Sequence, residues 1–480
     1  MTTPAGTAGV AKRRSGLLAL GLLVLLGLLH FFLGLVSTLR HHILLTTVIP
    51  MLTRPALDVG ERSPISHHGR HRALDDVVVG LDNPGPADPG GCVNFELNDA
   101  QQQLRALAAE VAEREFGPRA SRWDENEEYP QENLEVCAHQ GFMGLTIPEE
   151  FGGLGLGDLE ASVVLEQIAS WCLSTAILCQ LHLNGPPRAL MAFGNEHLQN
   201  TYLPRVAAGE CLIGIGMTEA DAGSDALNMR GSVRRVDGAW KLDAYKNMVT
   251  AGHRAQAYFV VARFPDAGER AIGAVMVPAD APGITVSKVH KKMGLRGMPE
   301  AEVMFDGVTV ADEDVVLEGD AKGSAMRTIL SQFNHERLGN ASMCVGVAAG
   351  ALRESLRYAQ ERHVGGRPII ELQGIAWKIA EMSTKVEAAR LMVRRAAAAA
   401  DAMGHLETPA LEIAQAKWYA NIVAQEVANE AIQIHGGYGY TREFPVERYF
   451  RDVRGMAIGA GTVEVQKNLI TKLLVSASKR

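Results

Sequence analysis

Three short segments of this chain combine residue types that could take part in chemistry. In "IGMTEADAGSDALNMR", Ile215 to Arg230, a strand-like start runs into a polar loop of small residues. Its backbone N–H groups, with the hydroxyls of Thr218 and Ser224, could hold a flavin ring and a ligand carbonyl. An ordinary β-turn with Asx hydrogen bonding is the preferred reading of that segment taken alone. Near the C-terminus, "AIGAGTVEVQ" (Ala457 to Gln466) carries a glycine-rich turn, Gly459-Ala460-Gly461-Thr462, with no acid or base at its centre. Just before it, "QIHGGYGYTREFPVERYFRDVR" crowds glycines, aromatics and arginines together. The third segment, "SQFNHERLGNASMCVGVAAGAL", places Glu336 beside Arg337 at the head of a long helical pattern. By itself, Glu336 reads as a first-turn helical glutamate favoured by the helix dipole and paired with Arg337 or Lys322.

These segments need elements to hold them, and the periodicity supplies three blocks. From 97 to 210 the pattern is helical, as in "DAQQQLRALAAEVAEREF" and "LEASVVLEQIASWCLSTAIL". The acidic stretch Asp124 to Glu128 is expected to be a solvated face. From 211 to 325, runs such as "AYFVVARF", "AIGAVMVP" and "AEVMFDGVTV" are bounded by Gly, Pro and Asp and read as strands. From 326 to 480 the chain is helical again. The expected fold class is α+β: helices, a central β domain, then a helical bundle.

The first 96 residues differ. Lys12-Arg13-Arg14 precede an apolar run from Ser15 to Val36, about the 20 residues a helix needs to cross a bilayer. Residues 1–52 are therefore expected to hold a membrane anchor. The basic flank favours a cytoplasmic N-terminus, which puts the body outside unless the stretch Ile43 to Leu52 turns the chain back. The expected location is membrane-associated with a cytoplasmic body, or soluble and cytoplasmic if the start codon is mis-assigned. Residues 53–96, rich in Pro, Gly, His and Arg, read as a tether, and His67, His68 and His71 as part of it rather than as metal ligands.

A net charge of −8 argues against a nucleic-acid partner. The six cysteines form no CxxC pair, so they read as buried reduced thiols rather than a disulfide frame or zinc site.

In order and spacing, the segments over roughly Asn98 to Lys472 resemble the acyl-CoA dehydrogenases. The match rests on "TEADAGSD", Lys246 ahead of "MVT", "GLR" before a strand, Arg362 with Gln373, "QIHGGYGY", and the Gly-Thr turn. The resemblance implies N-terminal helices, a β-barrel or sheet domain and a C-terminal four-helix bundle. It implies FAD between the last two, commonly in a homotetramer, with a homodimer as the alternative. Ile215, Met217, Thr218 and Ser224 would line the flavin, with Ser224 also near the acyl-CoA. Met248, Val249 and Thr250 match a Trp-Ile-Thr whose threonine approaches flavin N5. Met248 departs from that pattern but keeps a polarizable apolar cover. Arg362 and Gln373 would reach the FAD of a neighbouring subunit, and Gln433, Gly436, Gly437, Thr462 and Glu464 would complete its nucleotide site. Met298 and Glu300 stand where many members have Ser and Thr.

The implied reaction is α,β-dehydrogenation of an acyl-CoA to the trans-2-enoyl-CoA, with hydride passing to flavin N5. In most relatives the base is a Glu in the turn, where this chain has Ala460. A subgroup including isovaleryl-CoA dehydrogenase carries it on a bundle helix just before an Arg. Glu336-Arg337 match that pair, and the same subgroup shares the Gly-Ala-Gly-Thr turn. The resemblance thus makes Glu336 the base, with Asn334, Arg337, Ala460 and Gly461 at the substrate and the Ala460 N–H on the thioester carbonyl. Electrons would pass to an electron-transfer flavoprotein or another acceptor. An acyl-CoA oxidase and a non-catalytic, membrane-tethered homologue stay open as alternatives; nitroalkane oxidase, with Asp at the Ala460 position, is less favoured.

Overall fold

The computed structural model describes residues 96–404 and 407–479. The expected anchor over 1–52, nearly all of the 53–96 tether, Cys92 and the three tether histidines lie outside these residues. Among the described residues no helix is long and apolar enough to cross a membrane.

Seven helices come first: α1 (Asp99–Val111), α2 (Ala120–Asn126), α3 (Gln131–His139), α4 (Asp158–Ala169), α5 (Leu173–Leu183), α6 (Pro186–Phe193) and α7 (Glu196–Ala207). Local signals set their starts. Asn98 caps α1 by accepting from Gln101 N–H at 2.8 Å while Gln101 returns a contact to the Asn98 N–H, so two orphan donors are satisfied at once. Nearly every residue of α4 is buried, because its neighbours surround it.

The β region then runs through β1 (Ile213–Gly216), β2 (Ser232–Val236), β3 (Ala239–Thr250), β4 (Ala257–Arg263), β5 (Ile272–Pro278), β6 (Ile284–Val289), β7 (Glu300–Val310) and β8 (Val315–Leu317). The strand order is β6-β7-β3-β2-β4-β5-β8, with β1 parallel to β4. The link between β2 and β4 is a single pair, Ser232 with Arg263. Bent there, the sheet encloses its own core, where Tyr258 of β4 meets Phe305 of β7 edge-on at 5.4 Å. The three strands expected from "AYFVVARF", "AIGAVMVP" and "AEVMFDGVTV" are β4, β5 and β7.

The last block contains α8 (Ser324–Glu361), a short hairpin of β9 (His363–Val364) and β10 (Arg367–Pro368), then α9 (Gln373–Met403), α10 (Ala410–His435), α11 (Val446–Met456) and α12 (Val463–Ala477). At 38 residues, α8 spans about 57 Å. It packs against both α10 and α4. Gly346 and Gly350 permit the second contact: a Cβ on either would lie 2.2–2.3 Å from the Glu166 or Ser170 carbonyl oxygen of the first block.

Two expectations need correcting. Asp124 is not on a solvated face; it is 5% exposed and takes a two-pronged contact from Arg451 of α11, at 2.9 and 2.6 Å. A carboxylate in an acidic run carries no sign of a distant arginine, so the burial was invisible locally. Glu336 is not in a first turn, since α8 begins at Ser324, twelve residues earlier (336 − 324). The five described cysteines are buried and free.

Candidate active site

Glu336 projects from the middle of α8 and is held by what lies on either side. His335, its neighbour, turns inward, its Nδ1 2.9 Å from Asp158 Oδ1, an oxygen that also accepts from Arg188 at 3.1 Å. Asp158 opens α4, and Asp401 of α9 receives its N–H and that of Leu159 at 2.5 and 3.0 Å. This buried network fixes the rotation of α8 where Glu336 leaves it.

On the other side sits Gln180 of α5. Its amide donates to the Glu336 backbone carbonyl at 3.2 Å and accepts from Asn184 at 2.9 Å. It lies flat on α8 because residue 339 is glycine; a Cβ there would be 1.9 Å from Gln180 Oε1. Over the carboxylate itself lies Gly185, at φ +61°, ψ −122°. A side chain would be disfavoured there twice, by the backbone angle and by a Cβ 2.7 Å from Glu336 Oε2. The same point is 3.2 Å from Ile215 Cδ1, so the base candidate reaches the edge of β1.

Glu336 Oε2 is enclosed and, among the described residues, has no hydrogen-bond partner. Desolvation raises its pKa to about 7, against opposing contributions from the Gln180 amide and the Arg337 charge. A carboxyl with that affinity for protons is half-ionised at neutral pH, where a general base works best.

Arg337 links this helix to the turn. Its Nε donates to Ala460 O at 3.3 Å and its Nη1 to Asn334 Oδ1 at 2.5 Å, while Asn334 Nδ2 donates to Thr408 at 2.7 Å. Ala460 adopts φ +54° and Gly461 φ +85°. Thr462 then caps α12, accepting from Val465 N–H at 3.3 Å. Glu464 is exposed, and its own N–H and Thr462 hold its carboxyl below the usual range. Among the described residues, the Ala460 N–H has no protein acceptor.

The β-domain residues form a second wall. Ile215, Met217 and Thr218 are half-buried and Ser224 is exposed. Their loop is fixed by Glu219, which accepts from Arg230 N–H (2.6 Å), Gly231 N–H (2.9 Å) and Lys246 Nζ (2.7 Å). Burial opposes ionisation of Glu219, but these three donors hold its pKa below the ordinary carboxylate value. Lys246 also donates to Met217 O at 3.3 Å, binding the loop to β3. Along β3, Met248 is 48% exposed at φ +54°, Val249 is buried and Thr250 pairs with Glu300. Burial raises the Glu300 pKa, offset in part by Lys292, 3.6 Å away, and by Thr250; its Oε2 has no partner.

A third group lies elsewhere. Arg362 ends α8, 26 residues beyond Glu336, which is about 39 Å along one helix. Gln373 begins α9, and Gln433, Gly436 and Gly437 close α10. Tyr358 of α8 stacks on His435 of α10 at 4.3 Å, and Lys378 pairs with Glu430, so these ends meet. Arg362, Gln373, Gln433, Gly436 and Gly437 are exposed. The structure does not bring them to Thr462 and Glu464 within one chain: Gln433 is 16 residues beyond Lys417, which touches the Gly461 turn, or about 24 Å.

Sequence reasoning missed Gly185, Gln180, Glu219 and Lys417. The last had a signal: Lys417 and Asn421 fall on the otherwise apolar face of α10 with Ile413, Ala420 and Ala424.

Three family models cover this architecture in order. The acyl-CoA dehydrogenase N-terminal, middle and C-terminal domains match residues 98–210, 214–308 and 323–475. The chain belongs to the acyl-CoA dehydrogenase family. It is 32% identical to an acyl-CoA dehydrogenase of Bacillus subtilis, over 80% of this chain and all of that one. It is 35% identical to a 3-sulfinopropanoyl-CoA desulfinase of Paraburkholderia xenovorans, over 79% of this chain and 97% of that one. The solved butyryl-CoA dehydrogenase of Megasphaera elsdenii superposes with a TM-score of 0.75 at 29% identity, covering 80% of this chain and all of that one. FAD-dependent dehydrogenation of an acyl-CoA is the family's activity and FAD its cofactor. The acyl-CoA dehydrogenase residues here fit that group. Exposed Met248 and the open space in front of Gly223 leave surface beside β3 for a planar ring.

Proposed function

We propose that this chain oxidises an acyl-CoA thioester to its trans-2-enoyl product, with Glu336 as the base, in the manner of the isovaleryl-type subgroup. The observation that carries this reading is the enclosed, unpartnered Glu336 Oε2 beside Gly185 and Ile215, on the same helical turn that ties Arg337 to Ala460. A thioester α-C–H is a weak acid, so its removal needs a dry carboxylate and hydrogen bonds to the developing enolate oxygen. Glu336 supplies the first and takes the α-proton on Oε2. The Ala460 N–H supplies the second, since no protein group among the described residues takes it up. Arg337 and Asn334 hold the turn in place rather than touching substrate. Bound FAD supplies the two-electron acceptor for the β-carbon. Ile215, Met217, Thr218, Ser224, Met248, Val249 and Thr250 would hold its ring, and Thr250 is fixed by Glu300 behind it.

The third group serves another subunit's cofactor in this reading. Arg362, Gln373, Gln433, Gly436 and Gly437 are too far along α8 and α10 to act on their own chain's site, which supports a homodimer or homotetramer. Electron-transfer flavoprotein is the proposed acceptor. The Ser15–Val36 run is proposed as a membrane anchor on sequence grounds, and fractionation of the native protein tests it.

The assay is flavin bleaching by a panel of acyl-CoAs under anaerobic conditions, comparing wild type with Glu336→Gln. The expected result is bleaching by at least one acyl-CoA in wild type and none in the variant, with FAD retained in both. Near-normal turnover by the variant refutes Glu336 as base. Peroxide formation without need of an external acceptor would favour an oxidase, and a colourless protein that binds no FAD would favour a non-catalytic homologue.

A further inference from the structure

Lys417 is a cation with 0% exposure in the middle of α10. Its ammonium donates to three backbone carbonyls of one turn: Gly461 O at 2.7 Å, Gly459 O at 3.1 Å and Met456 O at 3.4 Å. Among the described residues it forms no ion pair with a carboxylate. Burying an unpaired ammonium costs several kcal/mol. A neutral amide or hydroxyl could bond one or two carbonyls at a smaller cost, so the charge calls for an explanation.

The peptide geometry provides one. Every peptide here is trans, and in a trans peptide the C=O and N–H point in opposite directions. Lys417 draws the Gly459 carbonyl towards itself, which turns the Ala460 N–H away from α10. Arg337 does the same for the next peptide: it holds the Ala460 carbonyl and so directs the Gly461 N–H. Of the three carbonyls on Lys417, two have a second donor. Met456 O also receives Asn340 at 3.2 Å, and Gly461 O receives Gln466 at 3.4 Å. Among the described residues, Lys417 is the one side chain that donates to Gly459 O, the carbonyl that sets the Ala460 N–H. A cation on the oxygen of an amide also polarises its N–H and makes it a better donor.

We propose that Lys417 is a positioning residue that aims the Ala460 N–H at the acyl thioester carbonyl and strengthens that hydrogen bond. This rests on the dehydrogenase reading above and extends it to a residue that touches no substrate. The same position makes the effect pH-dependent. Burial lowers the Lys417 pKa to about 8; the Cys344 thiol of α8 and Glu464 of α12 favour its charge, and Arg337 of α8 opposes it. Loss of the proton as pH rises through that value removes the charge and one donor, so the rate should fall on the alkaline side.

The test is the infrared carbonyl band of an α,β-unsaturated acyl-CoA, isotope-labelled at the thioester carbonyl and bound to the FAD-loaded protein. This product-type ligand has no reaction to run, so its band reports hydrogen bonding alone. Binding to wild type should lower the band, and Lys417→Met should return it towards its solution position. Lys417→Arg should restore part of the shift. With substrate, Lys417→Met should lose on the order of 10²-fold in kcat with KM little changed, the size expected when a positioning group is lost. The wild-type band should also move back above about pH 8, a measurement that needs no variant to fold. A band unchanged both by Lys417→Met and by alkaline pH overturns the proposal. Glu336→Gln separates this from the reading it rests on: that variant should keep the band shift while losing bleaching. If no acyl-CoA bleaches wild type but the band still depends on Lys417, the dehydrogenase reading fails and the positioning role stands.

Discussion

The two ends of the C-terminal bundle are built on opposite plans. Around Glu336 the supporting groups face other groups of the same chain: Gly185 over the carboxylate, Gln180 beside it, Arg337 and Lys417 on the turn. Around Arg362, some 39 Å further along the same helix, the polar side chains face outward. Tyr440 is 88% exposed and Trp377 60%. The first end is packed within one chain; the second carries its polar and aromatic groups on the surface. The difference shows that one helix can carry a buried, chain-enclosed carboxylate at one place and an exposed polar surface at another; in the proposed reading only the second depends on the assembly.

The comparison can be broken most sharply at Glu336. Replacing it with Gln should cut the rate by about 10²–10⁴-fold, the usual range for a lost general base, while bound flavin stays at the wild-type level. Arg362→Ala should do the reverse and release flavin, as read from the absorbance of purified protein. Co-assembly of the two inactive variants is the decisive experiment. If Arg362 serves a neighbour, hybrids contain some sites free of both changes and activity returns; no recovery in confirmed hybrids would place both residues in one site. A smaller effect is expected with pH. The base acts as a carboxylate and its folded pKa is raised to about 7, so kcat/KM should fall as pH drops below that value, by about tenfold per unit.

Gly185→Ala should cost about 1–3 kcal/mol of stability through its positive φ, measured by thermal unfolding, and should lower kcat by pushing the carboxylate aside. The smallest change is expected from Ala460→Gly. It relieves a left-handed alanine, gains unfolded-state freedom and keeps the N–H, so stability should move by less than about 1 kcal/mol and turnover should persist. Loss of activity in that variant would mean that the methyl group, not the backbone, matters.

Much of this was legible in the chain because it is carried by local pattern. The strands of the β domain announce themselves by β-branched runs with breakers, and the 215–224 loop and the Gly-Thr turn are short contiguous strings. Glu336 is singled out only through the family resemblance, by Arg337 beside it and by Ala460 where most relatives carry the acid. What could not be read depends on approach between distant segments. Gly185 looks like a helix breaker before two prolines; only the fold shows Glu336 Oε2 beneath it. Asp124 looked solvated until Arg451 arrived from 327 residues away. Lys417 stood on an apolar helical face, which marks it as unusual without naming the carbonyls it holds. Glu219 likewise lies inside the 215–230 segment, but its tie to Lys246 needs the β3 strand beside it.

The left-handed Ala460 has a further meaning for how such a site can change over generations. A donor supplied by the main chain is not encoded by the residue that carries it, so any substitution that tolerates positive φ inherits it, and only proline removes it. The carboxylate is the opposite: one codon change deletes it. If the Ala460 N–H holds the thioester as proposed, a lineage can shed the acid from this turn, provided another helix already carries one within reach, without losing that hold. Mutational drift at position 460 would be quiet, and drift at 336 would not.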